Sequence, residues 1–471
     1  MTDEARSLAM DSLLHILENG AFTTEELAKS YAEHPKLSRE ERALYTRLVE
    51  GTTERVLTLD YYLNAVSRLE TDKMKAAIRT ILRMSAYQIL FLDRIPDHAV
   101  CNEAQKLTEK AGYWQLKGFV NGVLRSLIRE KERISLPDPE KKGIEYLSIA
   151  YSFPSWLTKM WIRRYGYEET EAMLKAFTGN KKLCIRLNQA RTGREELKEI
   201  LKKEGLQAED HPYFEDALLL GKVDRIDRLA SFRKGLFYVQ DTSSMLALSL
   251  AGIREGMRIL DVCAAPGGKS LYAAELLKGS GEVISRDLSR KKTEKIDANA
   301  KRMGYQNIKS QVWDACVLRE EDLEAYDLVI ADLPCSGLGV VGRKSDIRYR
   351  ITPAQMHELS ILQRQILDVV SAYVKPGGRL LYSTCTISIE ENERNAAYIR
   401  EKLSLKPLPL EGLPKELYAA SAEEGMIQLF PHKGIYHDGF FIALFQKEGI
   451  SSLQKEGISS FQKAGKGQEK R

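Results

Sequence analysis

Cysteine is scarce. The 471 residues hold six, Cys101, Cys184, Cys263, Cys316, Cys335 and Cys385, and no two are spaced as CxxC. This excludes a disulfide scaffold, argues against structural zinc or any other metal site, and fits a reducing compartment in which thiols stay available for chemistry. Long apolar runs are also missing, so no segment is predicted to cross a bilayer, and Met1 to Leu14 lacks the basic-then-apolar order of a secretory signal. A cytoplasmic protein with no membrane partner is the expectation. A large surplus of one charge is absent too. The net charge is +5, and Gln446 to Arg471 carries six basic against three acidic residues. Attraction for phosphate must then come from local basic patches rather than from the chain as a whole.

What is present is enough apolar material, 43% of the residues, for several cores, and the length predicts about two to four domains. Residues 1–135 read as an all-α bundle, with apolar residues at helical spacing from Ala76 to Leu90. A second helix, Phe119 to Arg129, sets Arg125 and Arg129 four apart on one polar edge, either a solvated face or an RNA-facing one. The prolines between Ile134 and Pro139 mark a linker. Residues 140–234 read as a small α+β module: Trp156 and Trp161 on a helix, a strand at Leu183–Leu187, and a charged helix from Arg194 to Lys203. Lys181, Lys182 and Arg186 form a basic cluster around that strand.

From 235 to 446, apolar strands alternate with helical stretches, at Arg258–Val262, Glu282–Asp287, Ile308–Val312, Asp327–Asp332 and Arg379–Thr384. That alternation predicts a parallel α/β sheet, closed by Gly439–Phe445. Beyond it an octapeptide repeats, Gln446–Leu453 and Gln454–Phe461; residues 447–471 are expected to be a disordered tail without catalytic function.

The first strand ends in Leu260-Asp261-Val262-Cys263-Ala264-Ala265-Pro266-Gly267-Gly268-Lys269-Ser270, a small-residue turn that lets a ligand approach the backbone at the carboxyl edge of a sheet. The Gly268-Lys269-Ser270 ending resembles a phosphate loop, but Cys263 stands where that motif needs its first glycine. Asp287 ends the second strand, placed to accept hydrogen bonds from ribose hydroxyls or to cap a helix. Asp314 follows the third, facing an adenine amino group or turning at the surface. Asp332 and Cys335 share one loop after the fourth, stiffened by Pro334, and Cys385 follows the fifth. Cytosine C5 is a weak nucleophile; a thiolate that adds to the neighbouring ring carbon pushes electron density onto it, and a carboxyl on the N3 edge stabilises the adduct. Two thiols and a carboxylate beside an adenosine-type loop therefore point to methylation of a pyrimidine carbon.

These motifs, with Glu391-Asn392-Glu393, the terminal Asp438–Ile442, the helix Phe119–Arg125 and Tyr238–Ser244, resemble the Sun/Fmu family of bacterial 16S rRNA cytosine-5 methyltransferases, within the NOL1/NOP2/Sun group. The resemblance implies a NusB-like helical RNA-binding domain, a small α+β RNA-binding module and a Rossmann-like methyltransferase domain. It implies S-adenosylmethionine held by Cys263, Ala264, Ala265, Pro266, Gly267, Gly268, Lys269, Asp287, Asp314 and Asp332. It also divides the thiols: Cys385 is the nucleophile, Cys335 assists product release, and Asp332 stabilises cytosine N3. The implied partner is 16S rRNA before or early in assembly, bound by a monomer with no affinity for DNA, the target base unstacked from its helix. Arg343, Lys344, Arg348 and Arg350 are expected to meet the RNA backbone. In that loop Ser345 stands where relatives commonly have proline. The rival readings are a tRNA or DNA cytosine-5 methyltransferase, and a non-catalytic RNA-binding factor of ribosome assembly.

Overall fold

The computed structural model describes residues 4–179, 182–221, 223, 225–434 and 437–448. They fall into two compact units, Met1–Asn180 with Val340–Ile351, and Lys181–Gly339 with Thr352–Arg471.

The first unit has helices and no strand among its described residues. Helix Ala76–Phe91 buries Ile78, Ile81, Leu82, Met84, Ala86 and Ile89. That is more than one stripe of a helix, as expected for the centre of a bundle. Helices Glu4–Leu17, Arg39–Glu54, Asp97–Lys110 and Lys117–Glu130 supply most of the rest of that core, with Leu27, Leu59, Leu63 and Met74. Local chemistry sets the boundaries. Ser38 and Glu41 form a reciprocal capping box at the start of Arg39–Glu54, with bonds of 3.2 and 2.8 Å. The linker expected at Ile134–Pro139 is extended until Asp138 caps helix Pro139–Tyr151, which Pro139 opens. Arg125 lies on the exposed side of its helix, and Arg129 is paired with Glu130 at 2.8 Å. Phe153, Trp161 and Phe177 cluster with ring centroids about 6 Å apart, centring a second small core.

The second unit holds two sheets. Strands β1 (Leu183–Leu187), β2 (Ala208–Asp210), β3 (Ala217–Leu220) and β4 (Phe237–Val239) pair antiparallel in the order β2-β3-β1-β4. Helix Arg194–Lys203 buries Leu197 and Leu201 against them. The module expected over 140–234 is thus shared: its helices up to Thr178 pack in the first unit, its strands in the second.

The larger sheet contains β5 (Arg258–Asp261), β6 (Glu282–Asp287), β7 (Ile308–Val312), β8 (Tyr326–Asp332), β9 (Val374–Thr384), β10 (Leu405–Pro407), β11 (Met426–Leu429) and β12 (Phe440–Lys447). Its order is β10-β12-β9-β8-β5-β6-β7, with β11 on β12. Strands β5 to β9 are parallel, as expected, but β12 runs antiparallel to β9, β10 and β11, so the sheet is mixed. β5 is flanked by β6 and β8, so chain connections leave it in opposite directions. This is the switch point where open α/β sheets leave a crevice at their carboxyl ends. Lys447, expected in the tail, pairs with Leu405 as the last residue of β12. From residue 449 on, the repeat lies outside the described residues.

Candidate active site

At the end of β5 the chain turns through residues 262–267 into helix Gly268–Leu276. Gly267 has φ +105°, a conformation open to glycine, and its N–H bonds the Ala264 carbonyl at 2.7 Å. A Cβ on Gly268 would stand 3.3 Å from the Tyr238 ring, so the loop leaves room only for its own backbone there. Around it lies a pocket of about 170 Å³, lined by Cys263, Ala264, Ala265, Pro266, Gly268 and Lys269 together with Tyr238, Gln240, Ser244, Asp261 and Asp332.

Asp261 is 1% exposed; its Oδ2 accepts from Ser270 Oγ at 2.7 Å, and its Oδ1 has no partner. Burial raises this carboxyl to about 7. An orphaned buried carboxylate oxygen on a pocket wall suits the amino group of an amino-acid-bearing ligand, and S-adenosylmethionine fits that requirement. Cys263, also expected at the ligand, is a thiol pushed up by burial.

Lys269 does more than line the loop. Its Nζ donates to Asp332 Oδ2 at 2.6 Å and to Ser244 Oγ at 3.3 Å, and sits 5.2 Å above the Phe440 ring. Burial opposes its charge, but Asp332 foremost, then Asp261 and Cys385, raise its pKa above the ordinary lysine value. Asp332 Oδ1 accepts from Ser383 Oγ at 2.8 Å. The Cys335 and Cys385 sulfurs are 3.4 Å apart. A hydrogen bond to Cys385, burial and the nearby Glu391 push the Cys335 thiol well up. The two loops are locked by backbone: Gly339 N–H bonds the Cys385 carbonyl at 3.0 Å, and Gly439 N–H bonds the Gly339 carbonyl at 2.9 Å. A Cβ on Gly339 would fall 1.8 Å from the Gly439 oxygen.

Two expected ligand acids stand apart from the pocket lining. Asp287 accepts Ala265 N–H at 3.1 Å and pairs with Lys292 at 2.9 Å, so it braces the loop; Ser289, not Asp287, occupies the helix N-cap position. Asp314 is exposed and closes a turn onto the Cys316 N–H at 2.9 Å. The four expected RNA contacts also divide. Arg343 and Lys344 are exposed. Arg348 is not a surface cation at all: it is 0% exposed within the helical unit, donates to the carbonyls of Tyr151, Ser152 and Val341 at 3.0–3.3 Å, and lies 3.9 Å from the centre of the Phe153 ring. Arg350 lies 3.9 Å over Phe22 and 3.7 Å from Asp346. Hydrogen-bonded turns from Arg343 and Lys344 to the Val340 carbonyl hold the loop despite Ser345. Within the basic cluster, Arg186 is likewise buried, bonding Gln240 at 2.9 Å, whereas Lys181 lies outside the described residues.

Residues 247–446 match the family described as 16S rRNA methyltransferase RsmB/F, residues 3–129 the NusB family, and residues 153–227 the RsmF/B-like ferredoxin-like domain. The probable ribosomal RNA small subunit methyltransferase B of Bacillus subtilis is 35% identical over 447 residues, covering 94% of this chain and 99% of that protein. The chain belongs to the RsmB/F methyltransferase family. A second relative, ribosomal RNA small subunit methyltransferase B of Klebsiella pneumoniae, is 28% identical over 93% of this chain and 97% of its own length. Among solved structures, PH0851 superposes with a TM-score of 0.79 at 24% identity, covering 95% of this chain and 100% of that one. NSun6 from Pyrococcus horikoshii with SFG gives 0.58 at 24%, over 63% and 99%. These two likenesses bear on the fold. As a family member the protein is an S-adenosylmethionine-dependent methyltransferase with a NusB-type helical domain.

The sequence alone did not pair Lys269 with Asp332, 63 residues away, nor bring Tyr238 and Gln240 to the pocket or the Phe440 ring to Lys269. The motif spacing placed Lys269 in a ligand loop; only the sheet order sets β5 beside β8 and so brings the two residues together.

Proposed function

We propose that the protein methylates C5 of a cytosine in 16S rRNA through a covalent bond between Cys385 and C6. The observation that carries this reading is the pair of sulfurs 3.4 Å apart, beside a carboxylate that is itself hydrogen-bonded to a buried lysine. Cys385 Sγ adds to C6, and the ring electrons move toward N3 and C5. Asp332 meets the N3 edge, and Lys269, bonded to it, supplies the proton that the ring nitrogen takes up. Bound S-adenosylmethionine supplies the methyl group that C5 accepts. Loss of the C5 proton to solvent, return of the N3 proton to Lys269 and cleavage of the C6–S bond, whose electron pair stays on Cys385 Sγ, then restore the aromatic ring, with Cys335 assisting the departure of Cys385. Asp261 and the backbone of residues 263–268 hold the cofactor, while Asp287 stiffens that loop from behind.

The same reading gives the exposed Arg343 and Lys344 a place on the RNA backbone and makes unassembled or early-assembly 16S rRNA the partner. The test is methyl transfer from labelled cofactor to unmodified 16S rRNA, with the product mapped. One 5-methylcytosine, lost in Cys385→Ala, and a trapped RNA adduct in Cys335→Ala are expected. An active Cys385→Ala refutes the nucleophile; methylation of tRNA alone, or of no RNA, refutes the substrate.

A further inference from the structure

The segments flanking the two cysteines are tied together by a buried polar network built on Glu391 and Gln363, both 0% exposed. Glu391 Oε2 accepts the Ser336 N–H at 2.8 Å, and Oε1 accepts the Ser336 hydroxyl at 2.5 Å. Gln363, on helix Pro353–Val370, donates to Glu391 Oε2 at 3.1 Å and to the Pro334 carbonyl at 2.8 Å. One Glu–Gln pair therefore grips the backbone on both sides of Cys335. The network also reaches the other cysteine: the hydroxyls of Ser336 and Thr386, the residues after Cys335 and Cys385, are 2.6 Å apart. The Ser336 proton goes to Glu391, so Ser336 accepts from Thr386.

A carboxylate buried this deeply is costly unless hydrogen-bonded, and burial indeed raises the Glu391 carboxyl pKa. Its accepted bonds are concentrated on one residue, the neighbour of Cys335. A leucine or methionine would fill the same volume without the desolvation cost. What the carboxylate adds is a fixed address for a backbone amide and a hydroxyl beside one particular thiol.

We propose that Glu391 is a positioning residue for the release step, holding the Cys335 thiol against Cys385 through Ser336, with Gln363 steadying the other side of the loop. The inference rests on the reading of Cys335 as the residue that assists release. Cys335 meets Cys385, the Gly337 backbone and, through the loop, Glu391 and Tyr382; of these side chains it is Glu391 that also bonds the amide flanking Cys335.

The experiment measures the lifetime of the covalent enzyme–RNA adduct on denaturing gels for the full chain, its Glu391→Ala, Glu391→Gln and Cys335→Ala variants, and the Glu391→Ala/Cys335→Ala double variant. Glu391→Ala is expected to lengthen the adduct lifetime about tenfold or more, the scale for loss of buried charge-assisted bonds. Glu391→Gln, which still accepts from the Ser336 amide, should restore most of it. In the Cys335→Ala background, Glu391→Ala should add nothing, because a residue that acts through Cys335 has no target left. Independent, multiplying effects in the double variant, or a wild-type lifetime in Glu391→Ala, overturn the proposal. If Glu391→Ala fails to show a cofactor-induced melting shift, Gln363→Ala takes its place with the same expectations. Failure of Cys335→Ala itself to trap RNA is the separate outcome that removes the underlying reading of Cys335, and this inference with it.

Discussion

Replacing Asp261 with Asn isolates a pH-dependent cost built into the pocket at the end of β5. The Asp261 carboxyl is held at about 7 by burial, against an ordinary 3.8. Between those values the folded chain keeps the proton and the unfolded chain has lost it. Stability from this group therefore falls as pH rises, and stays flat once pH exceeds the folded value. Each pH unit inside the window removes about 1.4 kcal/mol, so the step from pH 5 to pH 7 costs about 3 kcal/mol. For a unit of this size, that is a drop of roughly 5 °C in melting temperature. Asn carries no charge and can still accept from Ser270 Oγ. The measured quantity is the difference in melting temperature between wild type and Asp261→Asn, which cancels the titrating groups that do not interact with Asp261. It should move by roughly 5 °C in favour of the variant between pH 5 and pH 7.5. A ligand amino group at the free Oδ1 relieves the same cost, so the melting shift caused by S-adenosylmethionine should grow with pH in wild type and not in the variant. A difference that stays constant with pH refutes the account of Asp261 as a buried, unpaired acid.

Lys269→Met should abolish methyl transfer while Lys269→Arg recovers little of it, since the 2.6 Å bond to Asp332 leaves no room for a larger head group; single-turnover assays check this. Gly339→Ala drives a methyl into the Gly439 carbonyl and should cost at least ~3 kcal/mol, read as loss of the folded catalytic unit in a melting curve. Arg348→Lys keeps the charge but cannot bridge three carbonyls and lie flat on Phe153. It should lower the helical unit's stability by about 2 kcal/mol and leave the salt dependence of RNA binding unchanged. Arg343→Gln and Lys344→Gln should each reduce that salt slope by about one, and titrations at several salt concentrations distinguish the two kinds of arginine.

Much of the larger sheet was legible because strands β5, β6 and β8 each carry a short apolar stretch, Ile259-Leu260, Val283-Ile284 and Leu328–Ala331, and end in Asp261, Asp287 and Asp332. A side-chain pattern of that kind reports burial on both faces. It does not report direction, which is why the antiparallel course of β12 was not foreseen, nor the three- and four-residue strands β10 and β11. Charge was misread where tertiary structure consumed it. Arg348 sits in a run of cations that looks like a phosphate-binding edge, yet its guanidinium is spent on backbone carbonyls. Asp287 was placed at its strand end but not on the Ala265 amide it holds, because that contact depends on how β6 lies beside β5. The thiols were found by motif, and their 3.4 Å separation came only from the register of β8 with β9.

The helical unit is discontinuous: its first 180 residues are joined by Val340–Ile351, and Arg348 and Tyr349 fill a socket formed by Tyr151, Ser152 and Glu54. During synthesis the amino-terminal bundle leaves the ribosome long before its plug does, so it must wait with that socket open while strands β5 to β8, the first half of the larger sheet, are translated. A fragment ending at residue 180 is therefore a bundle with a hole in it, and a peptide carrying residues 340–351, supplied in trans, is the piece that would close it.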